Sequence, residues 1–164
     1  MKSVVTILIS CTLLGAGAGA QELRRMSLDD LSTLGLKLQA DTAVKAEGGG
    51  SLRVTTLWPT TVCLGELAGL QIESGRLVYC ARVKSDLTAG EAYLELWVQA
   101  ASGEEFFARG LDNPVQGRTD WRLLTTSFVP KKIGRIRKAT MNLVVNGKGT
   151  VWVDDVRLAK ESLK

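Results

Sequence analysis

From residue 51 onward, the sequence consists of short runs in which apolar and polar residues alternate, and each run stops at turn-forming residues. The runs recur roughly every 8 to 15 residues, and helical spacing is confined to one stretch near the N-terminus. Alternation with a period of two is typical of a strand with one buried face. We therefore expect an all-β antiparallel β-sandwich or jelly roll, with a closed barrel as the alternative.

Two predicted turns decide how the strands connect. The predicted strands lie at 36–39, 52–57, 60–64, 77–84, 92–100, 106–109, 121–129, 140–145 and 150–158. Residues 86–90 and 146–149 are predicted to be turns, because both stretches are rich in glycine and polar residues. Asn146-Gly147 is also the strongest short hairpin signal, so the last two strands are expected to form a hairpin.

Residues 21–35 are the most helix-like part of the chain. The run that begins at Ser27 resembles a capping box, Leu31 and Leu34 follow at helical spacing, and Gly35 ends the pattern. We expect one or two turns of helix here, at the N-terminal end of the sandwich.

The first twenty residues have the composition of a secretory signal peptide. A basic start is followed by an apolar run at 4–14 and by alternating glycine and alanine at 15–20. The apolar run is shorter than the ~20 residues of a membrane-spanning helix, and no later segment is long enough. We expect a signal peptide at 1–20 and a single β-sandwich domain at 21–164, secreted or periplasmic and without a transmembrane segment. A lipobox-like sequence around Cys11 leaves a lipoprotein as the alternative.

Charge and composition exclude several classes of function. A net charge of +4 is too small to indicate nucleic acid or an anionic membrane as a partner. The chain contains no histidine, which excludes Ser-His-Asp and Cys-His mechanisms and most zinc sites. Catalysis would have to depend on carboxylates, lysine or tyrosine, and we expect no enzyme.

The two adjacent aspartates of the last predicted strand do not form a catalytic pair. Strict alternation places Trp152, Asp154, Val156 and Leu158 on one face of that strand and Asp155 on the other. A glycosidase needs two carboxyl groups about 5 to 9 Å apart across one cleft. Asp154 is instead expected to fix a loop or a calcium ion near the N-terminal strand.

Two cysteines follow the predicted cleavage site, Cys63 and Cys80. In an oxidising compartment an even number of cysteines predicts a disulfide between them. The alternative is two separate buried thiols on different strands.

Four segments resemble the galactose-binding-like jelly rolls, in particular the bacterial modules that bind cellulose, xylan and related glycans. They are GSLRV at 50–54, YLELWV at 93–98, TDW at 119–121 and GTVWVDDV at 149–156. The resemblance covers about residues 34–158, and it implies a non-catalytic module that binds a polysaccharide or other glycan on one sheet face. It also implies a structural calcium ion, held in that family by an aspartate equivalent to Asp154. The acidic, aromatic first strand of those modules is replaced here by leucine-rich sequence, so a second ligand for the ion is not identified.

The predicted strand at 92–100 carries the candidate binding residues. Alternation directs its leucines and Val98 to the core and Tyr93, Glu95, Trp97 and Gln99 to the other face. Aromatic rings stack on the apolar face of a sugar, while acid and amide groups bind its hydroxyls. The resemblance implies that this face lines a concave groove. The alternative is that these side chains cover a half-buried sheet surface or a crossing loop.

Other candidates for the same groove are Arg82, Lys84 and Asn142, each of which is otherwise an ordinary solvent-facing strand residue. Trp58 and the pair at 106–107 lie where loops could crown a binding site.

Two other functions remain open. One is a structural or protein-interaction domain of the cell envelope, in which loops or a partner cover the candidate face. The other is a small hydrolase that depends on Glu95. Exposure of Tyr93 and Trp97 along a groove would favour glycan binding, and burial under loops would favour protein interaction.

Overall fold

The computed structural model of this protein describes residues 21–26, 38–130 and 134–162. Within them the chain forms eight strands, and every pairing is antiparallel. The strands are β1 (Gln21–Met26), β2 (Leu38–Asp41), β3 (Ser51–Thr56), β4 (Thr60–Ile72), β5 (Arg76–Ala100), β6 (Glu105–Arg109), β7 (Val115–Phe128) and β8 (Ile136–Glu161). The predicted all-β antiparallel fold is confirmed. The described part of the chain has no helix of the length and apolarity that crossing a bilayer requires.

The N-terminal predictions fall mostly outside the described residues. The short helix expected after Ser27 lies within residues 27–37, and the expected signal peptide lies within residues 1–20. The stretch just before that helix forms β1, which pairs with the end of β8. The strand predicted at 36–39 corresponds to β2, which pairs with β3.

The fold is built on β5 and β8, which pair with each other along nearly their whole length. Both strands change partners where residues 87–91 of β5 lie opposite residues 146–149 of β8, a place we call the corner. On one side of the corner they join β1, β2, β3 and most of β7 in the first sheet. On the other side they join β4 and β6 in the second sheet.

A single hydrogen bond shows that the two sheets face each other. Tyr79 lies opposite Leu158 in the first sheet, and Asn142 lies opposite Glu95 in the second, far along the same two strands. Even so, the hydroxyl of Tyr79 donates to the carbonyl oxygen of Asn142 at 3.3 Å. The two strands therefore fold over at the corner, and the sheets form a sandwich. Complete burial raises the pKa of Tyr79 well above its usual value.

The core fills the space between the two sheets. Fully buried apolar side chains from both sheets include Leu52, Leu77, Tyr79, Val83, Leu94, Leu96, Met141, Leu143, Val153 and Leu158. Each such side chain contributes about 1.5–3 kcal/mol relative to an exposed one. At one edge the rings of Phe106 and Phe128 bring β6 and β7 together, with centroids 6.3 Å apart.

The turn predicted at 86–90 and the hairpin predicted at 146–149 are both wrong, since β5 and β8 each continue as one strand through these residues and stay paired with each other. The glycines serve a different purpose, which is close approach of the two backbones. A Cβ atom on Gly147 would lie 2.1 Å from the carbonyl oxygen of Ala89, and one on Gly90 would lie 2.1 Å from that of Asn146. Only glycine fits on either side of the corner.

A β-bulge reverses the faces of the last strand. Asp155 has a φ of 50° and is an extra residue of β8 at a point where the register with β5 shifts. Because of this extra residue, Val153 and Val156 both point into the core. The prediction that Trp152 shares a face with Val156 and Leu158 is therefore wrong.

Candidate functional site

The outer face of the second sheet brings most of the candidate residues together. The strands lie in the order β4, β8, β5, β6, so that residues from four strands form rows across the sheet. One row is Cys63, Asn142, Glu95 and Arg109. The next row is Glu66, Thr140, Trp97 and Phe107.

The second half of β5 places its side chains as alternation predicts. Its leucines and Val98 are buried in the core. Tyr93, Glu95, Trp97 and Gln99 lie on the outer face, where Tyr93 and Glu95 are buried and the other two are partly exposed. The aromatic surface that this face offers to solvent is therefore formed by Trp97 and its neighbours rather than by Tyr93.

Glu95 holds two side chains of the face in place. Its Oε1 accepts a hydrogen bond from Nε1 of Trp97 at 2.6 Å, and its Oε2 accepts one from Nε of Arg109 at 2.7 Å. The Glu95 side chain is only 7% exposed, so these partners compensate the loss of water around the charge. The hydrogen bond to Glu95 in turn raises the pKa of Arg109.

Phe107 completes an aromatic platform on this face. Its ring centroid lies 5.3 Å from that of Trp97, with 34° between the ring planes. The guanidinium carbon of Arg109 lies 4.7 Å from the centre of the Phe107 ring, in a cation–π contact worth about 0.5–1 kcal/mol at such exposed sites. Phe107 is 50% exposed. Glu95 and Arg109 thus hold the two rings in place, with Phe107 half exposed and Trp97 partly exposed.

Sequence reasoning placed Phe107 on a short strand beside a loop that could crown a binding site, and did not consider Arg109 as a site residue. The structure places both on β6, directly opposite Trp97 and Glu95. The alternation of Phe107 and Arg109 along a short predicted strand was a usable signal. To use this signal, one must know the register between β5 and β6. The turn at residues 101–104 determines that register, and the alternation does not reveal it.

Arg82 and Lys84 do not line this face, which corrects the prediction. Both lie before the corner, on the outer face of the first sheet. Nε of Arg82 lies 3.7 Å from Oδ2 of Asp155, whose Oδ1 accepts a 2.7 Å hydrogen bond from Arg157. Nζ of Lys84 bonds Asp120 at 2.9 Å. Sequence alternation could not separate them from Tyr93, because it does not reveal that β5 belongs to two sheets.

Asp154 fixes a loop, which is one of the two roles predicted for it. Its Oδ2 accepts hydrogen bonds from the backbone amides of Ala46 and Glu47 at 2.9 and 3.0 Å, and its Oδ1 accepts one from the amide of Asp155 at 2.7 Å. Among the described residues, no three His, Cys, Asp or Glu side chains are grouped to hold a metal ion. The calcium role of Asp154 stays a prediction.

The structure contradicts the disulfide between Cys63 and Cys80, since both are free thiols. Cys63 is exposed on the outer face of the second sheet. Cys80 alternates with the core residues Tyr79 and Ala81, so it lies on the outer face of the first sheet. The whole core separates the two sulfur atoms. Burial raises the pKa of the Cys80 thiol.

A second feature lies at the connection between β3 and β4. Trp58 is 61% exposed there, beside the exposed Leu57, at a pocket of about 310 Å³. Val54 and Val62 form part of its lining. This pocket belongs to a different part of the surface from the aromatic platform, because it lies at a strand connection rather than on a sheet face.

Comparison with known proteins supports the fold. No family model matches the chain, and no curated protein matches it in sequence. Solved structures do match. The CBM22-1 xylan-binding domain of Paenibacillus barcinonensis Xyn10C is similar over 91% of this chain and 100% of its own, with a TM-score of 0.58 and 14% identity. The chain has the fold of a carbohydrate-binding module.

Two further structures share this module fold. A family 16 carbohydrate-binding module is similar over 80% of this chain and 94% of its own, with a TM-score of 0.59 and 10% identity. The CBM22-1 and GH10 modules of Clostridium thermocellum xylanase 10B, in complex with xylohexaose, match 86% of this chain and 29% of their own length, with a TM-score of 0.61 and 15% identity. The resemblance inferred from the sequence is confirmed at the level of the β-sandwich.

Proposed function

We propose that this protein is a secreted or periplasmic, non-catalytic module that binds a carbohydrate on the outer face of the second sheet. The observation that carries the proposal is the partly exposed aromatic platform of Trp97 and Phe107, fixed by Glu95 and Arg109. Sugar rings present apolar C–H faces that pack on such rings, and rings that are already fixed lose little freedom on binding.

The module fold supports the class of ligand. Among the similar structures are a domain named for xylan binding and a xylanase module in complex with xylohexaose. These ligands are properties of those proteins. For this chain, a polysaccharide is the ligand class that the fold and the platform both favour.

The state of Glu95 supports binding without cleavage. A catalytic carboxyl group of a glycosidase must reach the glycosidic oxygen or a water molecule beside it. Both oxygens of Glu95 are instead bonded to Trp97 and Arg109. Glu95 therefore acts as a positioning residue, and incubation with a polysaccharide should release no soluble sugar.

The test compares two Trp→Ala variants of the same chain. Trp97→Ala removes half of the platform, and Trp58→Ala removes an exposed indole at the β3–β4 connection. We expect Trp97→Ala to weaken binding at least tenfold, about 1.4 kcal/mol, and Trp58→Ala to leave it unchanged. Affinity electrophoresis with soluble xylans, glucans and galactans, and sedimentation with insoluble cellulose, provide the measurement.

A third variant, Phe107→Ala, distinguishes loss of the site from a folding defect, because a half-exposed ring contributes little to the core. It should also weaken binding. Binding that survives both Trp97→Ala and Phe107→Ala, or is lost with Trp58→Ala instead, would place the site elsewhere. If the wild type binds no glycan and a protein partner co-purifies through this face, the envelope-interaction hypothesis replaces the proposal.

A further inference from the structure

Asn142 occupies the centre of the candidate face. It lies between Cys63 on β4 and Glu95 on β5, directly opposite each of them. Its chain neighbours Met141 and Leu143 are fully buried in the core, so the Asn142 side chain lies on the outer face. It is nevertheless only 9% exposed. The candidate face thus has a largely buried amide residue in the row that also contains Glu95 and Arg109.

The amide of Asn142 is not used by the fold. Its backbone carbonyl accepts the hydrogen bond from Tyr79, but its side chain makes no hydrogen bond within the part of the chain that the structure describes. Glu95, which lies directly opposite Asn142, has both carboxylate oxygens engaged by Trp97 and Arg109. Among the described residues, the buried side-chain polar atom without a partner is Nε of Arg53, so the amide of Asn142 remains accessible to water. A ligand hydroxyl can replace that water without breaking any hydrogen bond of the fold.

Given the carbohydrate-binding function proposed above, we propose that Asn142 is the residue that determines ligand specificity on this face. Its carbonyl oxygen accepts a hydrogen bond from one sugar hydroxyl, and its NH₂ group donates to the adjacent hydroxyl, while the sugar ring packs on Trp97 or Phe107. The charges of Glu95 and Arg109 neutralise each other in the same row. The ligand is therefore an uncharged glycan with two adjacent free hydroxyls.

The decisive variant is Asn142→Leu, which has the same branching at Cγ and no polar atoms. Glycan affinity should fall about 10- to 100-fold, because the hydroxyl contacts are lost. The melting temperature should change little, because the described part of the fold makes no hydrogen bond to this amide. Loss of binding without loss of stability is the signature of a group that acts on the ligand. Asn146→Leu, the same substitution at an exposed position of the same strand, should not change glycan affinity.

A ligand series tests specificity separately from affinity. The wild type should bind an unsubstituted glycan at least tenfold more tightly than its O-acetylated or O-methylated form, which lacks adjacent free hydroxyls. Asn142→Leu should remove this preference. Asn142→Ala provides a second variant in case leucine disturbs the sheet, and near-ultraviolet circular dichroism confirms that each variant is folded.

The outcomes separate this inference from the proposed function. If the wild type binds no member of the glycan panel, the proposed function fails and the role of Asn142 fails with it. If the wild type binds and the folded Asn142 variants keep both its affinity and its preference, only the role of Asn142 is overturned.

Discussion

Glu95 illustrates what alternation can and cannot predict at the scale of single residues. The position of Glu95 and Trp97 on the outer face of β5 follows from the residues alone, because the period of a strand is two. Their partners, Phe107 and Arg109, depend on the register of β6, and register depends on a loop. The candidate site was therefore predictable along one strand and not across strands.

Asp41 makes a residue-scale contribution that depends on pH. Its carboxylate accepts hydrogen bonds from Nε1 of Trp152 and from the amides of Ala43 and Val44, at 2.9 to 3.0 Å, and Arg53 lies 3.6 Å away. These contacts, the Trp152 hydrogen bond first, lower the pKa of Asp41. The folded state therefore binds a proton at Asp41 less readily than the unfolded state does.

The resulting stabilisation should be complete above the ordinary aspartate pKa of about 3.9 and should be lost as the pH falls below it. We expect the urea midpoint of the wild type to fall more steeply between about pH 5 and pH 3 than that of Asp41→Asn. Urea titrations at several pH values provide the measurement. Parallel pH profiles for the two proteins would show that Asp41 makes no such contribution.

At the scale of elements, local sequence patterns predicted where most strands lie, but long-range contacts determined how the strands pair and where they bend. Strands β3, β6 and the second half of β5 lie close to their predicted positions. The corner and the bulge at Asp155 were not predictable, because each depends on another strand lying alongside. Glycine next to asparagine has the same local preference whether it turns a hairpin or lets two backbones approach.

The corner predicts an unusual ranking of glycine substitutions. Gly147→Ala should destabilise the fold by more than about 2 kcal/mol, since its Cβ atom would lie 2.1 Å from a backbone oxygen of β5. Gly69→Ala is the matched control within β4, with a φ of 75° and open space around the new methyl group. There we expect only the conformational cost of about 1 kcal/mol. Equal losses in urea unfolding would contradict the role of the corner.

At the scale of the whole molecule, the sandwich was predictable and the allocation of residues to its two surfaces was not. Arg82 was expected on the same face as Tyr93, and Cys80 was expected to form a disulfide with Cys63. The structure places Arg82 and Cys80 on the opposite side of the core from these expected neighbours. The reason is that a strand which crosses from one sheet to the other has no local signature. The residues before and after the corner alternate in the same way.

Because β5 and β8 each belong to both sheets, neither sheet can detach while the other stays folded. The protein should therefore behave as one cooperative unit, in which native-state hydrogen exchange gives the same opening free energy for the slowest amides of β3 and of β4. A sheet that exchanged at a much lower free energy than its partner would contradict this. A pulling force on a ligand held by the proposed binding face would therefore be transmitted to both sheets at once.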